Sequence, residues 1–332
     1  MSARTVLTFH ASEDQRRALT EILGPFGGIA FLDDAGEDPD ARAAMLAPAE
    51  AVITWIPDHE LSPQDTGALG HVRLIQLLTA GADHIDFAAL PPQAKVAGNV
   101  GAYADPMAEH VLAMALALAK RLPQNHARLA SGTFDLAQTL RLRGGVAGIL
   151  GYGGVGSASA RLLRAFGMSI YAINTSGRAD GADQAGTLAD TRDMLRVADI
   201  VVVALPLTRA TRGLIGAAEL AVMKPDAILV NVARGAIVDS GALFEHLRAH
   251  PGFSAGIDTW WDEPGYGRPF RPRLPFLSLP NVLGSPHNSG LVPGMVSESM
   301  AAAARNVAAY LAGEPVRGIQ DPADYAAEGQ PT

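Results

Sequence analysis

Side chains that can bind an anion or move a proton follow three consecutive apolar runs in the last third of the sequence. They are Arg234 after residues 227–231, Asp258 and Glu263 after 253–257, and His287 after 282–284. In an open α/β sheet, ligands bind outside the carboxyl ends of the strands. If these runs are parallel strands, we expect a guanidinium, two carboxylates and an imidazole along one rim of the sheet.

Each of these residues also has an ordinary structural interpretation, as a surface arginine, a loop acid or a buried histidine. Together they could also bind and transform a substrate, because a guanidinium can hold a carboxylate while an imidazole transfers a proton. A catalytic interpretation is favoured because a dinucleotide-type glycine turn precedes them in the chain.

The turn reads Gly-Tyr-Gly-Gly-Val-Gly at residues 151–156 and fits the pattern G-x-G-x-x-G. It follows the apolar run 146–150 and precedes a helical pattern, which is the strand–turn–helix setting of a dinucleotide site. Its amide groups would hold a pyrophosphate at the helix N-terminus. The residues expected to bind the cofactor here are Gly151, Gly153, Gly154, Val155 and Gly156.

The residues that would meet the adenosine ribose favour NADPH over NADH. An NAD site usually has an acid about 20 residues after the turn, where it binds the ribose 2′-hydroxyl. This sequence has Asn174, followed by Thr175, Ser176 and Arg178. A carboxylate would repel a 2′-phosphate, whereas an amide, two hydroxyls and a guanidinium can bind one. The alternative is a solvent-facing loop in which Arg178 contacts nothing.

Alternating strand and helix signals predict an α/β protein with two doubly wound parallel sheets. The first set of predicted strands is 5–9, 29–32, 51–56 and 72–78, and the second is 146–150, 169–173, 200–204, 227–231, 253–257 and 282–284. A long apolar helix is predicted from Asp105 to about Lys120. A second helix, over 293–311, is expected to pack back on the first domain, which makes that domain discontinuous.

The composition narrows the class of protein. The 332 residues are 48% apolar and 18% charged with a net charge of −8, which suits two folded domains and argues against nucleic acid or anionic membrane as a partner. The absence of cysteine excludes thiolate metal sites and disulfides, and no metal site is predicted. Apolar runs are too short to span a membrane, so a cytoplasmic protein is expected.

Several segments resemble the D-2-hydroxyacid dehydrogenase family, including its glyoxylate and hydroxypyruvate reductases. They are residues 79–86, 107–110, 151–156, 205–208, 231–235, 258–264 and 285–287. The resemblance implies two Rossmann-like domains with the active site in the cleft between them. The substrate domain would comprise 1–99 plus 291–332, and the dinucleotide-binding domain would comprise 100–290.

The resemblance also implies roles for individual residues. Arg234 would clamp the carboxylate and carbonyl of a 2-oxo acid, while His287, oriented by Glu263, would donate the proton that gives a D-2-hydroxy acid. Backbone amides of Ala80 and Gly81 would bind the substrate carboxylate. Further cofactor contacts are expected from Leu205, Pro206, Thr211, Val232, Ala233 and Asp258, as well as from Arg234 and His287. The sequence does not choose the 2-oxo acid, although glyoxylate or hydroxypyruvate is favoured.

Some positions depart from the family pattern or leave alternatives open. Trp260 and Trp261 replace one smaller aromatic residue, so either packing or a pocket wall is possible for them. Ser285 also differs from the commoner residue, and His110 is expected to be structural or at a subunit interface. Phe134 lies where relatives place a tryptophan that reaches a partner subunit, which suggests a homodimer.

Three functions other than reduction also have some support in the sequence. Cofactor-sensing corepressors share the expected fold and have residues equivalent to Arg234, Glu263 and His287. A serine hydrolase could use Ser254, which lies in a G-x-S-x-G match at residues 252–256. Formate dehydrogenases pair the histidine with glutamine, where this chain has Glu263.

Overall fold

The computed structural model describes residues 3–264 and 268–325. The chain divides into two compact units, Met1–Ala102 with Val292–Thr332 and Tyr103–Leu291. Each unit contains one sheet whose strand pairs are all parallel. The α/β class predicted from the alternating pattern is confirmed.

The first unit has a five-stranded sheet in the order β2-β1-β3-β4-β5. Its strands are β1 (Thr5–Leu7), β2 (Ile29–Phe31), β3 (Ala51–Thr54), β4 (Leu74–Leu77) and β5 (Lys95–Ala97). Its first helices are α1 (Glu13–Leu23), α2 (Pro39–Leu46), α3 (Pro57–Glu60) and α4 (Pro63–Gly67). Strands β3 and β4 are buried on both faces, as apolar runs of a parallel sheet should be. The edge strand β5 was not predicted, because its three residues give little pattern.

The second unit has a seven-stranded sheet in the order β12-β11-β10-β9-β6-β7-β8. Its strands are β6 (Val146–Leu150), β7 (Ser169–Ile173), β8 (Gln184–Gly186), β9 (Ile200–Val203), β10 (Ile228–Asn231), β11 (Ser254–Ile257) and β12 (Val282–Gly284). Its helices are α5 (Ala104–Ala119), α6 (Leu122–Ala130), α7 (Gly154–Ala165), α8 (Thr191–Val197), α9 (Ala217–Leu220) and α10 (Ser240–Ala249). The prediction of six strands was wrong by one, since the short edge strand β8 lacks β-branched residues.

Helix α5 packs its apolar side into the core of the second unit. Val111, Met114 and Leu118 are buried there beside residues of β6, β9 and β10. This packing explains why a helix with so few charges is stable in a folded protein. None of the helices in the described ranges is long and apolar enough to cross a bilayer.

The last helix, α11 (Met295–Leu311), belongs to the first unit. It buries Met300, Ala303 and Val307 in the same core as Leu19 and Leu23 of α1. After α11, Ile319 forms an antiparallel bridge with Ala97 of β5, so the returning chain covers this edge of the sheet.

Candidate functional site

Three neighbouring strands of the second sheet end side by side. Strands β10, β11 and β12 are parallel and in register, so Asn231 pairs with Ile257 and Ile257 pairs with Gly284. Neighbouring strands are about 4.8 Å apart. The segments that carry Arg234, Glu263 and His287 therefore leave the sheet at one edge.

The structure brings His287 and Glu263 into contact. Nδ1 of His287 lies 2.8 Å from Oε2 of Glu263, and Oε1 of Glu263 accepts a hydrogen bond from the amide of Trp260 at 2.8 Å. The His287 side chain is 42% exposed, so its ring remains accessible to a ligand. An imidazole held this way on one side has its other nitrogen available for proton transfer.

The Glu263 carboxylate is held in its ionised form. Burial alone would raise the pKa of Glu263, but the hydrogen bonds from His287 and Trp260 and the charges of His287 and Arg234 together lower it. The positive charge of Arg234 is thus one of the groups that favour the ionised form of Glu263. The three predicted catalytic side chains thus share one electrostatic environment.

Arg234 is half-buried and is positioned by the chain around it. Its Nη1 donates to the carbonyl of Ala233 at 2.8 Å. The side chain of Asn231 closes the turn, since its Nδ2 donates to the Arg234 carbonyl at 2.9 Å and its Oδ1 accepts from the Ala233 amide at 3.0 Å. Asn231 was not predicted as a functional residue, although its place three residues before Arg234 could have indicated this support.

The backbone of His287 adopts a left-handed conformation, with φ of +52°. Such a conformation is uncommon for residues other than glycine and has to be stabilised by its surroundings. Here the His287 amide donates to the carbonyl of Asp258 at 2.8 Å, and the amides of Asn288 and Ser289 donate to the Asp258 carboxylate at 3.1 and 3.2 Å.

Asp258 is buried, with 0% of its surface exposed. Burial alone would raise the pKa of its carboxyl group, but hydrogen bonds from Ser285 and Ser289 and the nearby His110 lower it. Its carboxylate accepts hydrogen bonds from the loop after β12, and Nε2 of His110 lies 3.7 Å from its Oδ1. Direct contact of Asp258 with a nicotinamide, as the resemblance implied, stays a prediction.

The glycine turn has the local geometry that an anion site needs. Gly151 has φ of +92°, and a Cβ there would lie 2.6 Å from the carbonyl oxygen of Ala204. A Cβ at Gly156 would lie 1.8 Å from the carbonyl oxygen of Gly151. By contrast, a Cβ at Gly153 would meet no atom within 4 Å. Open space beside Gly153 at the N-terminus of α7, with Gly154 and Val155 in its first turn, fits a pyrophosphate group.

The loop after β7 is closed by its own polar groups. Nδ2 of Asn174 donates to the Arg178 carbonyl at 2.6 Å, and the amide of Ser176 donates to Oδ1 of Asn174 at 3.1 Å. The hydroxyl of Tyr152, from the glycine turn, donates to the carbonyl of Asp180 at 3.0 Å. Thr175, Ser176 and Arg178 are exposed. Within the described ranges, no side chain forms an ion pair with the Arg178 guanidinium.

The remaining predicted cofactor residues differ in what they can offer. Thr211 is buried, and its hydroxyl donates to the Pro206 carbonyl at 2.6 Å, so it closes the turn after β9. Leu205 lies in the core beside this turn, whereas Pro206 is exposed. The Val232 side chain is also in the core, which leaves only its backbone for a ligand.

Ala80 and Gly81 lie in the first unit, in the loop that follows β4. The hydroxyl of Thr79 donates to the Gly81 carbonyl at 2.9 Å. The chain at Gly98 approaches closely, since a Cβ there would lie 2.2 Å from the Ala80 carbonyl oxygen. These contacts hold the loop, which is exposed at Ala80.

Both tryptophans after β11 are packing residues that also hold the site. The Trp260 indole donates to the Ser285 carbonyl at 2.9 Å, and the Trp261 indole donates to the Val238 carbonyl at 2.7 Å. Trp261 stacks on Phe276, with ring centroids 5.0 Å apart. Of the two interpretations left open by the sequence, the structure supports packing.

The serine hydrolase hypothesis is wrong for a geometric reason. Ser254 is the first residue of β11, whereas His287 follows the other end of the neighbouring strand. Four residues of strand span about 13 Å, so Ser254 is at the opposite end of the sheet from the imidazole. No strand–turn–helix elbow surrounds this serine, since it is followed by the rest of the strand.

Comparisons with known proteins identify the family of this chain. Residues 112–289 match the family model described as D-isomer specific 2-hydroxyacid dehydrogenase, NAD binding domain. The chain is 34% identical over 306 residues to a glyoxylate reductase of Aeropyrum pernix, covering 89% of this chain and 90% of that protein. It is 32% identical over 272 residues to a D-3-phosphoglycerate dehydrogenase of Archaeoglobus fulgidus, and this match covers 78% of the chain but only half of that longer relative.

A solved structure is similar over nearly the whole length. It is a D-isomer specific 2-hydroxyacid dehydrogenase from Xanthobacter autotrophicus Py2, crystallised with NADPH and MES. The two chains are 26% identical, with a TM-score of 0.76 and coverage of 96% of this chain and 98% of the other.

Proposed function

Because the chain belongs to the D-isomer specific 2-hydroxyacid dehydrogenase family, an oxidoreductase family, we propose that it reduces a 2-oxo acid to a D-2-hydroxy acid with NADPH. The observation that carries this proposal is the 2.8 Å contact between His287 and Glu263 beside the charge of Arg234. The first unit would serve as the substrate domain, and the second would bind the dinucleotide.

Arg234, His287 and Glu263 have different roles in this reaction. The nicotinamide, when bound, supplies the hydride. Arg234 holds the substrate carboxylate and polarises the adjacent carbonyl through its planar fork of donors. His287 donates a proton from Nε2 to the carbonyl oxygen while Glu263 stabilises the imidazolium at Nδ1.

We expect a small or polar 2-oxo acid as the substrate, with glyoxylate and hydroxypyruvate first. The relative from Aeropyrum pernix, which is similar over most of both chains, carries the name glyoxylate reductase. The broader test is a set of 2-oxo acids with NADPH and NADH, followed by nicotinamide absorbance. A protein that binds the nucleotide tightly but turns over none of these acids would instead support the cofactor-sensing alternative.

The preference for NADPH is carried by the loop after β7. Asn174 stands where NAD sites usually have an acid, donates to the Arg178 carbonyl and carries no charge that would repel a 2′-phosphate. Arg178 is exposed next to the hydroxyls of Thr175 and Ser176. Tyr152 connects this loop to the glycine turn, which holds both parts of the nucleotide site in one arrangement.

Arg178→Ala should lower kcat/KM for NADPH by about ten- to a hundredfold, because a charge-assisted contact with phosphate contributes about 1.5–3 kcal/mol. The same ratio for NADH should change less than about twofold, since NADH has no 2′-phosphate for Arg178 to contact. Arg141→Ala is the matched control, as Arg141 is another exposed arginine of the same unit. Equal losses with both nucleotides would show that Arg178 does not select the cofactor.

Glu263→Gln should move the upper pH limit for reduction downward, because the ionised partner of the His287 ring is replaced by a neutral one. The sign follows from the reaction: reduction requires a protonated His287, and glutamine offers it no negative charge. Glutamine keeps an oxygen for the Trp260 amide, so the loop should persist. Asp262→Asn is the control, since Asp262 pairs with Arg273. Superimposable pH profiles for Glu263→Gln and the wild type would contradict the acid–base role.

A homodimer is also part of the proposal. Phe134 and Leu136 lie in the segment that follows α6, and they are 81% and 84% exposed. Leu122 and Leu129 of α6 are exposed as well. Large apolar side chains grouped in this way are typical of a surface that another protein covers, and a second copy of this chain is the partner that the family resemblance indicates.

A further inference from the structure

We propose that His110 and Ser285 are positioning residues for His287, acting through the buried carboxylate of Asp258. The expected effect on the rate rests on the proposed function, but the effect on the conformation of the loop can be tested separately. Within the second unit, His110, Ser285 and Asp258 form one chain of side-chain hydrogen bonds, and the His287 amide donates to the Asp258 backbone carbonyl.

Ser285 connects the two ends of this chain. Its hydroxyl donates to Oδ1 of Asp258 at 2.5 Å, because an ionised carboxylate can only accept. The single hydroxyl proton is then used, so Ser285 must accept from Nε2 of His110, which is 2.9 Å away. This direction fixes the neutral tautomer of His110 as the one with hydrogen on Nε2.

Asp258 transmits this arrangement to the backbone of the catalytic loop. One carboxylate oxygen accepts from Ser285 and from the Asn288 amide, and the other accepts from the Ser289 amide. The two amides immediately follow His287, whose φ of +52° is otherwise unfavourable. The carboxylate therefore has to stay in one orientation for the imidazole to stay beside Glu263.

Ser285 matters because its hydroxyl donates to the same carboxylate oxygen of Asp258 as the Asn288 amide. The carboxylate is buried, so water cannot replace a lost donor. When Ser285 loses its hydroxyl, the carboxylate can rotate away from the Asn288 and Ser289 amides. A displacement of the imidazole by a fraction of an ångström would then slow proton transfer without changing nucleotide binding.

The structural test is residue-resolved amide hydrogen exchange of Asn288 and Ser289. We expect exchange at both amides to be faster by about tenfold in Ser285→Ala, as expected for the loss of one hydrogen bond to a buried charge. Ser285→Thr keeps the hydroxyl and should restore slow exchange. Ser278→Ala is the matched control, because its hydroxyl donates to a backbone carbonyl at 2.7 Å in an exposed turn of the same unit.

A second pair of variants tests His110, at the other end of the hydrogen-bonded chain. His110→Gln keeps a donor near the position of Nε2, whereas His110→Phe removes it. Exchange at Asn288 and Ser289 should be slower in the glutamine variant than in the phenylalanine variant. This comparison remains informative if Ser285→Ala does not fold.

Kinetics give the catalytic consequence. Ser285→Ala should lower kcat about tenfold while KM for NADPH stays within about twofold, and Ser285→Thr should recover most of the rate. A general loss of folding would instead lower the active fraction and leave no rescue by threonine. Exchange in Ser285→Ala within twofold of the wild type, or a threonine variant as impaired as the alanine variant, would overturn the inference. If the wild type reduces no 2-oxo acid but the exchange pattern is as expected, the proposed function fails and the positioning stands.

Discussion

Replacing His287 with asparagine is expected to lower kcat for 2-oxo acid reduction by about 10²- to 10⁴-fold, the usual contribution of a positioned acid or base. Asparagine is the suitable replacement because it tolerates the left-handed backbone that His287 adopts. Its amide can contact Glu263 but has no proton to give at neutral pH. The measurement is steady-state reduction under saturating NADPH and substrate.

The control for this variant is nucleotide affinity, measured by fluorescence titration in the absence of substrate. The dissociation constant for NADPH should stay within about threefold, since the loss of one side chain at the edge of a large ligand changes total binding little. A His287→Asn protein that keeps a tenth or more of the wild-type kcat would mean that another group, or water, supplies the proton.

Arg234→Ala is expected to lower kcat/KM for the 2-oxo acid by about 10²-fold or more, because two charge-assisted hydrogen bonds to the substrate are lost. KM should rise and kcat should fall together, since the same fork holds the carboxylate and polarises the reacting carbonyl. A variant within about twofold of the wild type excludes Arg234 as the clamp.

Arg234→Lys distinguishes the role of the positive charge from the role of the planar guanidinium. Lysine keeps the positive charge near Glu263 but not the planar fork of donors. We expect lysine to recover only part of the affinity for substrate and little of kcat. The thermal midpoint of both variants should be recorded, because Arg234 also donates to the Ala233 carbonyl.

The elements that the sequence predicted well are those with a complete physical signature. Strands β6, β7 and β12 have the predicted bounds, because each apolar run stops at a glycine or a polar residue: Gly151, Asn174 and Ser285 respectively. Strands β5 and β8 were missed, since three residues at a sheet edge with few branched side chains form through pairing with a neighbour.

The candidate site was predictable where it depended on strand ends. Residues that follow neighbouring parallel strands lie at one edge of the sheet, so the sequence predicts that Glu263 and His287 are near each other. The hydrogen bonds of His110 and Ser285 were not predictable, because they join a helix to a loop 175 residues later in the chain. Likewise, Asn174 could be identified as a replacement for an acid, but not as the residue that closes its own loop.

The return of α11 to the first unit has a consequence for how the protein is made. Residues of α11, among them Met300 and Val307, complete a core whose other buried members come from the first hundred residues. A nascent chain therefore exposes one face of its first sheet until the ribosome has passed residue 311, while the second unit already has all its strands. Since domains generally fold as they emerge, the nucleotide-binding unit would mature earlier, whereas the first sheet, whose five strands are already made, would wait for α11 to complete its core.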